Sequence, residues 1–205
     1  MKSKKVIVVL SALIILAGVI MLVSTGFNKS IGYQNSKKIE VSIEKGYEKN
    51  DIIQIANEVF NEKDIQIQDL EKTNQAFFIR IKDYSEEELS NFKAKLAEKY
   101  EIEEENLIVL EAEIPETKIT TIVTPYVFPV SLVTIISLVY IALRNIKKEA
   151  INKVISILLA LIIVAGIYFS VIVLTQFPFN EYVMPIALAL YIVTLLIVVM
   201  RLNKE

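Results

Sequence analysis

The chain has 205 residues, 54% of them hydrophobic and 22% charged, with mean hydropathy +0.49, net charge −2 and a pI near 5.5. That balance is too apolar for one soluble domain and too charged for a purely membranous chain, so a mixed membrane protein is expected. It contains no cysteine and no histidine, which excludes a disulfide framework and a thiolate metal site and removes the commonest metal ligand, general base and neutral-pH proton relay. The acidic balance gives no footprint for nucleic acid.

Taken in chain order, Lys2, Lys4 and Lys5 precede an apolar run from Val6 to Val23. The run exceeds the apolar core of a signal peptide, and Ser24-Thr25-Gly26-Phe27 forms no clear small-x-small cleavage site, so an uncleaved transmembrane anchor over residues 1–28 is expected. Phe27 to Lys37, with Asn28, Gly32, Asn35 and Ser36, reads as a flexible lead.

Residues 29–118 are the part that can fold in water, and their hydrophobic period changes in the order strand, helix, strand, strand, helix, strand. Lys38 to Ile43 alternates with Ile39, Val41 and Ile43 inward, and ends at Gly46. Asn50 is expected to cap a helix whose apolar stripe is Ile52, Ile53, Ala56, Val59 and Phe60, with Asp51 in its first turn. Ile65 to Leu70 and Ala76 to Lys82 read as strands joined through Lys72, Thr73, Asn74 and Gln75. Ser85-Glu86-Glu87-Glu88 has the serine-x-x-glutamate form of a capping box, opening a helix with Leu89, Phe92, Leu96 and Tyr100 on one side. Leu107 to Ile114 supplies the last strand, stopped by Pro115. The fold class expected is therefore a four-span α-helical membrane protein with an extracytoplasmic α+β domain of ferredoxin-like, βαββαβ type. Its core is placed at Ile39, Val41, Ile43, Val59, Phe60, Phe77, Ile79, Leu89, Phe92, Leu96 and Val109.

Residues 119–205 contain three further runs, Ile119 to Leu143, Val154 to Phe177 and Tyr182 to Met200, each long enough to cross a hydrocarbon core of about 30 Å. Basic residues sit before the first span, between the second and third (Arg144, Lys147, Lys148, Lys153) and after the fourth (Arg201, Lys204), whereas Thr175 to Glu181 has none. The positive-inside rule then puts both termini in the cytoplasm and residues 29–118 outside the cell membrane. That segment holds 13 basic against 21 acidic residues, a net of −8. Pro125, Pro129 and Pro185 fall in the first turns of their spans and Pro178 in an outer loop, where a missing amide is tolerated.

The acidic groups Glu86-Glu87-Glu88 and Glu101, Glu103, Glu104, Glu105 are better explained as a helix opening and a solvated loop than as cation sites, since neither has calcium-loop spacing. There is no phosphate loop or nucleophile elbow, so no catalytic, cofactor or metal residue is assigned and no enzyme activity is expected. Spans two to four contain no charged residue, although charges at depth usually mark ion pathways because placing one there costs about 2.5–3.5 kcal/mol. Their tyrosines, Tyr126, Tyr140, Tyr168, Tyr182 and Tyr191, are expected mostly as interfacial anchors. The hydroxyls of Ser131, Thr134, Ser137, Ser156, Ser170 and Thr194 can bond within or between helices.

The order of parts resembles the first two-thirds of the SecF type of protein-export membrane protein, a relative of SecD. Tyr140-Ile141-Ala142-Leu143-Arg144 is similar to that family's tyrosine-isoleucine-alanine-x-arginine ending of span two, and Phe177-Pro178-Phe179-Asn180 to its phenylalanine-asparagine outer loop. Ile31-Gly32-Tyr33 and the strand Ile39-Glu40-Val41 sit where the family has glycine-isoleucine-aspartate-phenylalanine, a double glycine and a strand, but the aspartate and double glycine are missing. The family's acidic motif would fall near Ile163 and Val164, and its glycine-tyrosine-serine-x-asparagine-aspartate motif near Ile192 to Ile197, apolar here apart from the uncharged Thr194. The plan stops two spans short at Glu205. The resemblance implies an export accessory lying in the lipid bilayer beside a SecD-like or translocase partner, with an unfolded polypeptide client and no proton coupling of its own. An FtsX-like membrane protein, which signals from an outer domain to a cytoplasmic partner, shares the same order of spans.

Overall fold

Residues 2–43, 46–60, 64–70, 75–145 and 150–203 are described by the structure, a computed structural model. The chain divides into two compact units, Ser30–Thr117 on the one hand and Met1–Lys29 with Lys118–Glu205 on the other.

In the polar unit the alternating segments become strands and the helical-period segments helices: β1 Ser36–Ser42, α2 Lys49–Val59, β2 Ile65–Asp69, β3 Ala76–Ile81, α3 Glu86–Tyr100 and β4 Ile108–Ile114. The helix Lys2–Thr25, α1, precedes them in the other unit. The sheet runs β2-β3-β1-β4, with every neighbouring pair antiparallel. Register sets Val41 opposite Phe77 and Ile39 opposite Ile79, so the inward residues of the two central strands lie side by side. Ile39, Val41, Ile43, Phe77, Ile79 and Ile81 are fully buried with Ile52, Ala56, Phe60, Phe92 and Leu96. Phe60 packs on Phe92 with ring centroids 5.3 Å apart and on Tyr84 at 6.2 Å, a spacing favourable for aromatic pairs.

Both bonds of the α3 capping box form, Glu88 N–H donating to Ser85 Oγ (3.2 Å) and Ser85 N–H to the Glu88 carboxylate (2.8 Å). α2 differs from expectation. It begins at Lys49 behind Glu48, which adopts an extended conformation and makes no side-chain cap bond, so Asn50 lies inside the helix rather than capping it. The stripe also rotates: Ile52, Ile55, Ala56 and Val59 are buried, while Ile53 is 37% exposed. The i, i+3, i+4, i+7 set from Ile52 defines the inward line, and Ile53 falls beside it. Val109 is half-buried rather than core, because β4 is an edge strand covered on one side only. Tyr47, Ile81, Tyr84, Ala97 and Leu107 join the core instead. Of the expected β2–β3 connection, residues 72–74 lie outside the described residues; Gln75 is described, and its carbonyl accepts from Ile43 N–H at 2.7 Å.

The second unit consists of α1, α4 (Ile119–Arg144), α5 (Ala150–Leu174) and α6 (Val183–Leu202), all long and apolar enough to cross a membrane. α1 packs on α5, which also meets α4 and α6. The α1–α5 contact is set by small residues. A Cβ on Gly18 would come within 2.6 Å of the Ser170 Cα, and one on Gly166 would press Ile15 at 3.0 Å, the close approach that glycine permits between helices in lipid. α5 is shifted from the expected run, starting at Ala150 and ending at Leu174, so Phe177 is outside it. Pro125 and Pro129 lie inside α4, beyond its first turn.

Candidate functional site

Polar chemistry or open volume occurs at several places in the fold, among them three in the helix bundle and the sheet. The first is a cavity of about 210 Å³ among α4, α5 and α6, lined by Tyr126, Val130, Val164, Ala165, Tyr168, Phe169, Met184 and Tyr191 together with small and aliphatic neighbours. Helical spacing brings lining residues together on each helix: Tyr168 and Val164 are four apart on α5, as are Leu188 and Met184 on α6. Tyr168 Oη donates to the Val183 carbonyl at 2.8 Å. Tyr191 Oη and Thr134 Oγ1 share a hydrogen bond of 2.5 Å, and Thr134 Oγ1 also reaches the Val130 carbonyl. No carboxylate, amine or guanidinium lines the space. Its chemistry is that of an apolar slot in which the Tyr168 and Tyr191 hydroxyls are already engaged. Tyr168 and Tyr191 therefore face the bundle.

The second place is the two ends of the bundle. Phe179 is buried, its ring 5.0 Å from Phe27, and Phe27 lies edge-on to Phe169 at 6.4 Å. The Phe179 N–H donates to the Asn28 carbonyl at 2.6 Å and Asn28 Nδ2 to the Gln176 carbonyl at 2.8 Å. The Phe177-Pro178-Phe179-Asn180 segment is thus tied to the end of α1. At the other end Ile141 is fully buried, Arg144 donates to Tyr140 Oη at 2.6 Å, and Lys153 Nζ reaches both Asn145 Oδ1 (3.1 Å) and the Leu202 carbonyl (2.9 Å). A cation there satisfies the orphan carbonyls at the C-terminus of α6 and suits its dipole. Of the basic group expected at this end, Lys147, Lys148 and Lys204 lie outside the described residues.

The third place is the sheet of the polar unit. Two buried tyrosines tether its edge strands: Tyr47 Oη donates to Asp69 on β2 at 2.8 Å, and Tyr84 Oη to Glu111 on β4 at 2.5 Å. Burial first, and then the bonded carboxylate, pushes both phenols above their ordinary range. The Tyr47 bond in turn holds the Asp69 carboxyl below its usual value. Lys37 is held above its ordinary value chiefly by its contact with Asp83, at 2.7 Å. Arg80 is lowered by burial; its guanidinium bonds Ser36 Oγ at 2.6 Å and the Gln34 carbonyl at 3.4 Å.

The acidic groups singled out in the sequence are not brought together. Glu86, Glu87 and Glu88 form the first turn of α3, and Glu101 caps its other end in a left-handed conformation (φ 51°). Glu104 and Glu105 lie in a short 3₁₀ turn. Among the described residues no group of three or more carboxylates is placed to hold a metal ion. The tyrosine tethers and the cavity escaped sequence reading because each joins residues far apart in the chain; the only local sign was two tyrosines, Tyr47 and Tyr84, flanking strand segments.

No protein-family model matches this chain, and no curated protein matches it. The chain is similar in fold to a crystal structure of SecDF in its super-membrane-facing form, with a TM-score of 0.57 at 18% sequence identity, over 95% of this chain and 26% of that one. It therefore spans about a quarter of the length of the SecDF chain, and the likeness is one of fold.

Proposed function

We propose that this chain is a SecF-like accessory membrane protein of protein export. The single observation that carries the reading is the likeness of fold to SecDF over 95% of the chain, joined to the two short words at the ends of the bundle, in which Ile141 and Phe179 are buried. In this reading residues 1–28 are an anchor, residues 119–205 three further spans, and residues 29–118 an extracytoplasmic domain of ferredoxin-like type that contacts translocating polypeptide. The basic residues at Lys2, Lys4, Lys5, Arg144, Lys153 and Arg201 support cytoplasmic termini.

Proton coupling is not assigned to the chain itself. Ile163 and Val164 on α5 and Ile192 to Ile197 on α6 offer no ionisable group, and tyrosine, with a reference pKa of about 10, is a poor proton carrier near neutral pH. The driving force comes from a SecD-like or translocase partner. Crosslinking the tagged chain in its own membrane tests the reading: capture of an export component is expected, and capture of a cytoplasmic ATPase with no export component would overturn it in favour of an FtsX-like signalling role. Liposomes holding the purified chain, a pH-sensitive dye and an imposed potential should show no proton flux above empty liposomes; flux abolished by Tyr168→Phe would return proton coupling to this chain.

A further inference from the structure

The sheet of the polar unit has two edges of unequal character. β2 is five residues long and its outward residues are Gln66 and Gln68. β4 is seven residues long, and among the described residues no strand pairs with its far side. In an antiparallel edge strand every second residue turns its amide and carbonyl away from the sheet, leaving a template for another strand. Soluble proteins commonly blunt such an edge with lysine, proline or a bulge. β4, Ile108-Val109-Leu110-Glu111-Ala112-Glu113-Ile114, contains no lysine or proline, and its pairing with β1 runs without a break from Ser42↔Ile108 to Ser36↔Ile114.

Its two faces differ in chemistry. Register sets Val109 and Glu111 opposite Val41 and Ile39, on the helix-covered face, with Glu113 opposite Lys37. Ile108, Leu110, Ala112 and Ile114 therefore lie on the open face, where Ile108 is 62% and Leu110 59% exposed. These are large apolar side chains on a strand edge, with carboxylates alternating between them.

We propose that the outer edge of β4 docks an extended polypeptide segment whose side chains alternate between apolar and basic, by strand addition. A strand laid beside β4 presents side chains alternately to the two faces, and directly opposed pairs dominate the energetics of strand pairing. One set of the incoming side chains meets Ile108, Leu110 and Ala112, where apolar residues gain contact. The other meets Glu111 and Glu113, where lysine or arginine gains charge complementarity. The same carboxylates disfavour a second copy of this chain in its most extensive antiparallel registers: pairing β4 on β4 about Glu111 sets Glu111 against Glu111, and pairing about Ala112 sets Glu111 against Glu113, and like charges directly opposed are destabilising. The edge thus disfavours its fullest self-pairing and is open to a strand of opposite pattern. That the strand comes from a translocating chain rests on the export reading; that the edge binds such a strand does not.

The test uses the full chain in neutral detergent micelles and a fluorescent heptapeptide alternating isoleucine and lysine, read by anisotropy against empty micelles. Saturable binding is expected, with the isoleucine–glutamate counterpart at least about tenfold weaker and Glu113→Lys reversing the preference. Peptides N-methylated on one alternate set of amides should lose binding, and those methylated on the other set should keep it, because only one set faces the edge. Equal loss or equal retention for the two sets, indifference to Glu113→Lys, or concentration-dependent dimerisation abolished by Leu110→Asp would each overturn the proposal. Peptide binding without capture of an export component would leave the edge standing and remove the export reading; capture without peptide binding would do the reverse.

Discussion

In the polar unit, 30–117, most large apolar residues on the helix-covered face of the sheet and on the inward faces of α2 and α3 are buried, whereas in the helix unit many large apolar residues of α1 and α4–α6 are exposed. Val6 to Leu10 on α1 are each more than half exposed, while Ile39 and Val41 on β1 have no exposed surface. The same residue types are treated oppositely because the two units answer to different solvents. In water, burial of apolar surface drives packing and writes its period into the sequence. In lipid the tails are as apolar as the side chains, so close backbone approach and shared hydrogen bonds select the contacts.

The largest effect is expected in the polar unit. Phe92 is fully buried against Phe60, and Phe92→Ala should cost roughly 3–5 kcal/mol, read as loss of hydrogen-exchange protection at β1 amides in the detergent-solubilised chain. Unchanged protection would mean that this ring does not hold the sheet.

In the helix unit the sensitive position should be a small residue. Gly18→Val forces α1 away from Ser170 and should cost about 1–3 kcal/mol of overpacking, whereas Leu10→Ala, at an exposed position, should cost little. Thermal unfolding in detergent distinguishes them. Equal losses would show that α1 is held by its long side chains, as a soluble helix is.

A smaller effect sharpens the role of the tyrosine tethers. Tyr47→Phe removes the bond that lowers Asp69 and should cost about 1.5 kcal/mol near neutral pH, the low end for a charged acceptor because the carboxylate is partly wet. Because the folded carboxyl titrates below its unfolded value of about 3.9, this stability is present above that value and is lost as pH falls through the folded one. The gap between wild type and variant should therefore close as the urea midpoint is followed from neutral pH down to about pH 2. A gap constant with pH would assign the effect to packing alone.

The smallest is at the α3 cap. Ser85→Ala removes one bond of the capping box and should cost about 1 kcal/mol, with Ser85→Asp recovering most of it. No change would mean that packing of Leu89 and Phe92 alone fixes where α3 starts.

What was legible in the sequence was whatever one element decides by itself. Ser85 to Glu88 could be read as a capping box because its bonds close within four residues. β1 and β3 could be read from alternation because each strand buries one face wherever it pairs. The existence of four spans could be read from length and composition. Tertiary structure decided the rest. Asn50 stood ready to cap α2, but the chain enters the helix two residues earlier, through Glu48; Val109 had the pattern of a core residue, but order β2-β3-β1-β4 put its strand at an edge. Which face of each span packs, and hence that Gly18 meets Ser170 and that Tyr168 and Tyr191 turn to a common cavity, had no periodic trace, because in an apolar solvent neither face of such a helix needs to differ from the other.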